Sequence, residues 1–168
     1  MDAACTLTEK VASVTHGHPR FTLGCFLYLL VERGLLAGLA PIDACAAKCE
    51  LANPWLANGS IPAVVEDKYY RWWVLSGEIV NQSEDKIFST GYVVHTLEAA
   101  LWCLLKYDSY AATVLAAVNL GDDTDTTGAV AGGLVGLAYG EASIPTEWLA
   151  VLARRADIEE LAGRLAGE

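Results

Sequence analysis

No run of apolar residues in this 168-residue sequence is long enough to cross a bilayer. The most apolar stretches, Phe21–Val31 and Ala129–Tyr139, fall well short of the roughly 18 residues that a membrane helix needs. No basic segment followed by an apolar stretch and a small-residue cleavage site opens the chain, so neither a signal peptide nor a membrane partner is expected. Basic residues are scarce too, with 11 Lys plus Arg against 21 Asp plus Glu and a net charge of -10. A general grip on nucleic acid requires cations that neutralise phosphates, so nucleic acid is not expected as a partner. An acidic surface of this kind ordinarily serves solubility.

A disulfide framework is also lacking, because the five cysteines (Cys5, Cys25, Cys45, Cys49, Cys103) are odd in number and widely spread. Most sit among apolar residues, where a free thiol packs as a small hydrophobe, and a reducing, cytoplasmic setting suits them. Cys45 and Cys49 lie one helical turn apart, but no second Cys/His pair at zinc-site spacing accompanies them. Alternating apolar and polar residues with β-branched enrichment are absent, as are an internal repeat, a low-complexity tract and an interdomain linker. What remains is 54% hydrophobic and 19% charged, with a mean hydropathy of +0.33, which excludes a disordered chain. The length suits one domain over residues 1–168, large enough to bury a core without a metal or disulfide.

Helical punctuation is dense. Thr6 and Glu9 have the spacing of a capping box and predict a helix from about residue 7 to Thr15. Pro19 suits the first turn of a second helix, in which Phe21, Cys25, Tyr28, Leu29 and Leu35 recur at helical spacing until Gly34 and Gly38 loosen it. Pro41 starts a third helix, expected to end near Asn53-Pro54. Asn53–Pro62 reads as a loop, Val64–Ile79 as a helix carrying Tyr69, Tyr70, Trp72 and Trp73, and Asn81–Thr90 as a further loop. Leu97, Leu101, Leu104 and Leu105 predict a strongly buried helix from Val93 to Lys106. Asp108 or Ser109 caps the next helix, to about Val118. Another starts inside the acidic segment and runs to Tyr139, with Gly140 as a left-handed cap. Pro145 predicts a short helix to Ala153, and Asp157 with Glu160 a capping box for the last one. The expected class is all-α.

The chemistry concentrates in Asn119-Leu-Gly-Asp-Asp-Thr-Asp-Thr-Thr-Gly128, where Asp122, Asp123 and Asp125 fall within four positions at a predicted helix start. A helix amino terminus favours one anion, but three crowded carboxylates repel one another unless a cation relieves them. Asp123, Asp125 and the Thr126 hydroxyl are hard oxygen donors of the kind Mg²⁺ and Ca²⁺ prefer. The competing reading is a solvated, self-capping helix start. An EF-hand is excluded, because Leu134 stands at the twelfth loop position, where a bidentate Glu is required. Gly128, Gly132, Gly136 and Gly140 then recur every four residues, although an interior glycine costs a helix about 1 kcal/mol relative to alanine. A smooth face that lets another helix come close would offset that cost. The alternative is a flexible, poorly helical stretch.

Gly121-Asp-Asp-Thr-Asp-Thr126 with its glycine-rich helix resembles the carboxy-terminal metal motif of the ADP-ribosylglycohydrolase family, which includes dinitrogenase-reductase-activating glycohydrolases. Ser89-Thr-Gly-Tyr92 and the helix after it resemble the family's substrate loop. Thr15-His-Gly-His-Pro19 resembles its threonine-histidine motif, and Ile144-Pro-Thr-Glu-Trp148 its closing helix. The four occur in the family's order and cover nearly the whole chain.

The resemblance implies a compact all-α domain with two Mg²⁺ ions, Mn²⁺ in some members, and hydrolysis of the bond joining ADP-ribose to a protein side chain or small acceptor. By motif match Asp123 and Asp125 would be catalytic, and together with Thr126 would hold metal. Gly91, Tyr92 and Gly121 would line the ADP-ribose cleft, and His16 would sit near the nucleotide. His18 and His95 read as structural, and the aromatics Tyr69–Trp73 as core. Family members also carry, ahead of the threonine-histidine motif, a Gly-Asp-x-x-Gly helix and a Thr-Asp-Asp-Thr segment that supply the rest of the metal site. Neither occurs in these 168 residues, so the chain is expected to lack the amino-terminal helices of the family domain and to self-associate through the surface they would cover. A non-catalytic ADP-ribose- or metal-binding module and a structural, crystallin-like relative are the alternatives to an active hydrolase.

Overall fold

The computed structural model describes residues 2–57 and 78–167. Among the described residues all regular structure is helical: α1 (Asp2–Ala12), α2 (Pro19–Leu36), α3 (Pro41–Ala57), α4 (Val93–Lys106), α5 (Tyr110–Asn119), α6 (Thr124–Tyr139), α7 (Thr146–Val151) and α8 (Arg155–Ala166). Short 3₁₀ turns occupy Glu78–Asn81, Glu84–Lys86 and Glu141–Ser143.

α4 is the central element, because its apolar residues are not confined to one stripe. Every residue from Thr96 to Leu104 is buried, and Val94 with them. Leu97, Leu101 and Leu104 join Phe26, Leu27 and Leu30 of α2 and Leu134 of α6 in the main core. On its other side Ala100, Trp102 and Cys103 meet Ile79, Ala117 and Ala131. Each such large apolar side chain contributes roughly 1.5–3 kcal/mol relative to exposure. The Trp102 indole N–H donates to the Gln82 carbonyl at 3.0 Å, which ties the segment before the site to this core. No helix among the described residues is long and apolar enough to cross a membrane.

The glycine stripe has a visible partner. Tyr110, Val114 and Val118, one row of α5, lie against Gly132, Gly136 and Gly128 of α6. A β-carbon at Gly128 would come within 2.9 Å of Val118 Cγ1, whereas at Gly132 and Gly136 it would make ordinary contact with Tyr110 and Val114. The stripe is therefore a packing face. Gly34 has a related role inside α2: a β-carbon there would lie 2.8 Å from Ala44 Cβ, so α3 rests directly on the α2 backbone.

Helix ends follow the expected capping chemistry at some positions and depart from it at others. His18 caps α2 by accepting from the Arg20 amide through Nδ1 at 3.2 Å, which bears out its structural reading. Ser109 caps α5 by accepting from Ala112 at 3.3 Å. The box expected at Thr6 does not form, because α1 already begins at Asp2; Ala3 and Ala4, the best helix formers, extend it backward. Asn53-Pro54 does not stop α3, which runs to Ala57; the fixed φ of proline is itself helical, and only one amide is lost. The loop expected up to Pro62 and the helix over Val64–Ile79 otherwise lie outside the described residues, apart from Glu78 and Ile79 in their 3₁₀ turn. Gly140 has the expected positive φ of 78°, but its ψ of 165° is extended rather than left-handed helical. Pro145 precedes α7, which ends at Val151, and α8 starts from Arg154 in a left-handed conformation instead of from Asp157.

α1 and α2 flank an open apolar groove of about 970 Å³, lined by Leu7, Val11, Val14, Phe21, Leu29 and Leu36 among others.

Glu98 is the anomaly of α4: it is 7% exposed, and its Oε1 meets no hydrogen-bond partner among the described residues. Burial pushes its carboxyl up to about 7 from 4.5. The native state therefore holds a proton that the unfolded chain releases, so stability falls as pH rises from about 4.5 to about 7. Glu98→Gln should abolish that slope and melt higher than the parent above pH 7, by on the order of 2 kcal/mol, with little difference near pH 4.5. Thermal unfolding across this range checks it, and a difference independent of pH would contradict it.

Candidate active site at the acidic turn

Between α5 and α6 the chain reverses through two consecutive positive-φ residues, Gly121 at 88° and Asp122 at 52°. Glycine takes this region freely and aspartate is among the few other residues that tolerate it. The reversal leaves Asp123 as the N-cap of α6, with Asp125 and Thr126 in its first turn.

The loop after Phe88 is clasped to this turn. Ser89, 1% exposed, donates through its hydroxyl to the Gly121 carbonyl at 2.6 Å. Its own carbonyl accepts from the Asp123 amide at 3.1 Å. Gly91 then passes so close that a β-carbon there would lie 2.7 Å from Asp123 Oδ2. A side chain at this position would push the Asp123 carboxylate aside.

The rest of the loop is held from α4. His95 Nδ1 and the Thr90 hydroxyl are 2.8 Å apart, and the Thr96 hydroxyl donates to the Thr90 carbonyl at 3.2 Å. The His95 ring lies between Phe88, at 5.4 Å, and the edge-on Tyr92 ring, at 5.1 Å. Burial holds this imidazole below its usual range, which suits a neutral, structural histidine. Tyr92 is 39% exposed, and its hydroxyl accepts from Arg20 Nη1 at 3.1 Å. His16 is exposed in the α1–α2 turn with its ring 4.7 Å from Phe21.

Of the residues singled out in the sequence, the structure thus brings Gly91, Tyr92, Gly121, Asp123, Asp125 and Thr126 into one contiguous unit. His16 belongs to the α1–α2 turn, where its ring meets Phe21; Arg20, four residues on, reaches the unit through the Tyr92 hydroxyl. Sequence reasoning missed Ser89 and Arg20 as site residues. Ser89 stood inside the Ser89-Thr-Gly-Tyr92 motif, but its pairing with the turn lies 32 positions away in sequence. Arg20 offered only its place beside Pro19.

The turn gathers hard oxygen donors. Asp123 makes no close side-chain capping bond, yet the Thr126 hydroxyl beside it, and then Asp125, hold its carboxyl below the usual carboxylate range. An ionised Asp123 with Asp125 and the Thr126 hydroxyl is a hard-oxygen donor set that fits one side of a Mg²⁺- or Mn²⁺-type site. Among the described residues no three His, Cys, Asp or Glu side chains gather closely enough to hold a metal ion by themselves. A cation at this turn would need further donors beside these three residues.

Known proteins point the same way. The model of the ADP-ribosylglycohydrolase family matches residues 1–168. The ADP-ribosylarginine hydrolase Tri1 of Serratia proteamaculans (strain 568) is 41% identical over 90 residues, which is 54% of this chain and 25% of that protein. Its namesake from Pseudomonas putida (strain GB-1) is 43% identical over 90 residues, 54% of this chain and 24% of that protein. The ADP-ribosyl-(dinitrogen reductase) glycohydrolase of Rhodospirillum rubrum is 34% identical over 154 residues, covering 88% of this chain and 43% of that protein. The chain thus spans less than half the length of the curated relatives it matches. With a family match over its whole length and an acidic turn clasped to its glycine-tyrosine loop, this chain belongs to the ADP-ribosylglycohydrolase family.

Proposed function

We propose that this chain is one part of a domain, residues 1–168, that supplies the substrate loop and a share of a divalent-cation site in a hydrolase removing ADP-ribose from a protein side chain. The names of the Serratia and Pseudomonas relatives favour arginine as the acceptor. The observation that carries this reading is the 2.7 Å approach of a Gly91 β-carbon position to Asp123 Oδ2, because it sets loop and carboxylate side by side.

Asp123, Asp125 and Thr126 would hold metal, as Mg²⁺ or Mn²⁺, with two ions in the complete family site. An ion bound there would polarise a ribose hydroxyl or a water. Asp123 and Asp125 themselves present fixed negative charge, which favours the cationic character that develops at the anomeric carbon as the glycosidic bond breaks. Gly91 and Gly121 would present bare backbone to the ligand, Tyr92 would offer an aromatic face, and His16 would meet the nucleotide end. A second reading, a non-catalytic ADP-ribose- or metal-binding module, is favoured for the isolated chain by the partial donor set.

Titration calorimetry of ADP-ribose into the chain, with and without Mg²⁺, tests the proposal. Binding should require the ion, and Asp125→Asn should weaken it by about tenfold or more. Ion-independent binding unaffected by Asp125→Asn would contradict the metal assignment, and turnover of an ADP-ribosylarginine peptide separates the hydrolase from the binding module.

Self-association belongs to the same proposal. Val14 is 83% exposed and Leu36 72% exposed beside the apolar groove of α1 and α2, and contiguous apolar surface of this kind seeks cover. A second copy is the partner at hand in a pure preparation. Sedimentation velocity should show mass rising with concentration, and a monomer at all concentrations would contradict it.

A further inference from the structure

Arg20 lies in the first turn of α2, two residues after the His18 cap, and reaches across the fold to the Tyr92 hydroxyl at 3.1 Å. The Tyr92 ring is 39% exposed, so core packing alone does not fix it. An exposed phenol samples several rotamers unless a partner holds it. Among the described residues it meets the edge-on ring of His95 at 5.1 Å and the Arg20 guanidinium. The preceding residue, Gly91, abuts Asp123 Oδ2. A chain of contacts therefore runs from the amino end of α2, beside the turn bearing His16, through Tyr92 and Gly91 to the acidic carboxylate.

We propose that Arg20 is a positioning residue, which sets the Tyr92 ring and, through it, the spacing between the ligand-facing loop and the α1–α2 turn. The role in ligand binding rests on the ADP-ribose reading above; the role in orienting the loop does not. Arginine suits the task because its planar fork is pre-organised and stays charged at every relevant pH, whereas lysine would supply the charge with less directional hold.

The test uses the full chain and the variants Arg20→Ala, Arg20→Lys, Tyr92→Phe and the double variant Arg20→Ala/Tyr92→Phe. Amide and tyrosine-ring NMR signals are recorded first, and ADP-ribose with Mg²⁺ is then titrated. Arg20→Ala should shift the Gly91, Tyr92 and Asp123 signals while leaving those of the α4 core nearly unchanged, and it should weaken ADP-ribose about tenfold. Tyr92→Phe, which removes only the hydroxyl, should reproduce these shifts. The double variant should add little to either single one, and Arg20→Lys should restore part of the signal pattern and affinity. Loop signals that stay at parental positions in Arg20→Ala, or effects that add in the double variant, would overturn the proposal. If the parent does not bind ADP-ribose but Arg20→Ala still moves the loop, the positioning role stands and the ligand reading fails.

Discussion

Ser89 holds the two halves of the site together with a single residue. Its hydroxyl donates to Gly121 and its carbonyl accepts from Asp123, so these two groups are satisfied although the residue is almost fully buried. A buried hydroxyl or carbonyl without a partner costs about 1–3 kcal/mol, so the loop cannot lift from the acidic turn cheaply. Everything attributed to the site follows from this clasp: the contact of Gly91 with Asp123, the direction of the 89–92 segment, and the common location of loop and carboxylates.

The bundle serves to keep that clasp rigid. α4 is buried nearly all round and carries the loop at its amino end, while α6 carries the acidic turn at its own. The two helices share the main core through Leu97, Leu101 and Leu134, and α5 locks α6 by fitting Tyr110, Val114 and Val118 onto its glycine face. Close-packed helices of this kind move as units, so the two ends that form the site inherit the stiffness of the core.

Much of this was legible in the residues. The leucines of α4, the break at Gly121 and the cap at Ser109 follow from helical periodicity and local hydrogen bonding, which need no tertiary information. The acidic turn was legible because three carboxylates at a helix start are an electrostatic oddity, and its family because the motifs around it occur in order. Helix limits were less so: Ala3 and Ala4 carried α1 past Thr6, and α3 passed through Pro54, since propensity and context outweighed a single punctuating residue. Ser89 and Arg20 were hidden for a different reason. Their roles depend on pairings across 32 and 72 positions, which no local pattern encodes.

The central claim is that the acidic turn and the glycine-tyrosine loop respond to a cation as one body. Titration of Mg²⁺ into the isotope-labelled chain, followed by amide NMR, tests it most directly. The account predicts that the signals of Ser89–Tyr92 move together with those of Asp123–Thr126, with one common midpoint. Shifts confined to Asp122–Thr126, with the loop unmoved, would contradict it.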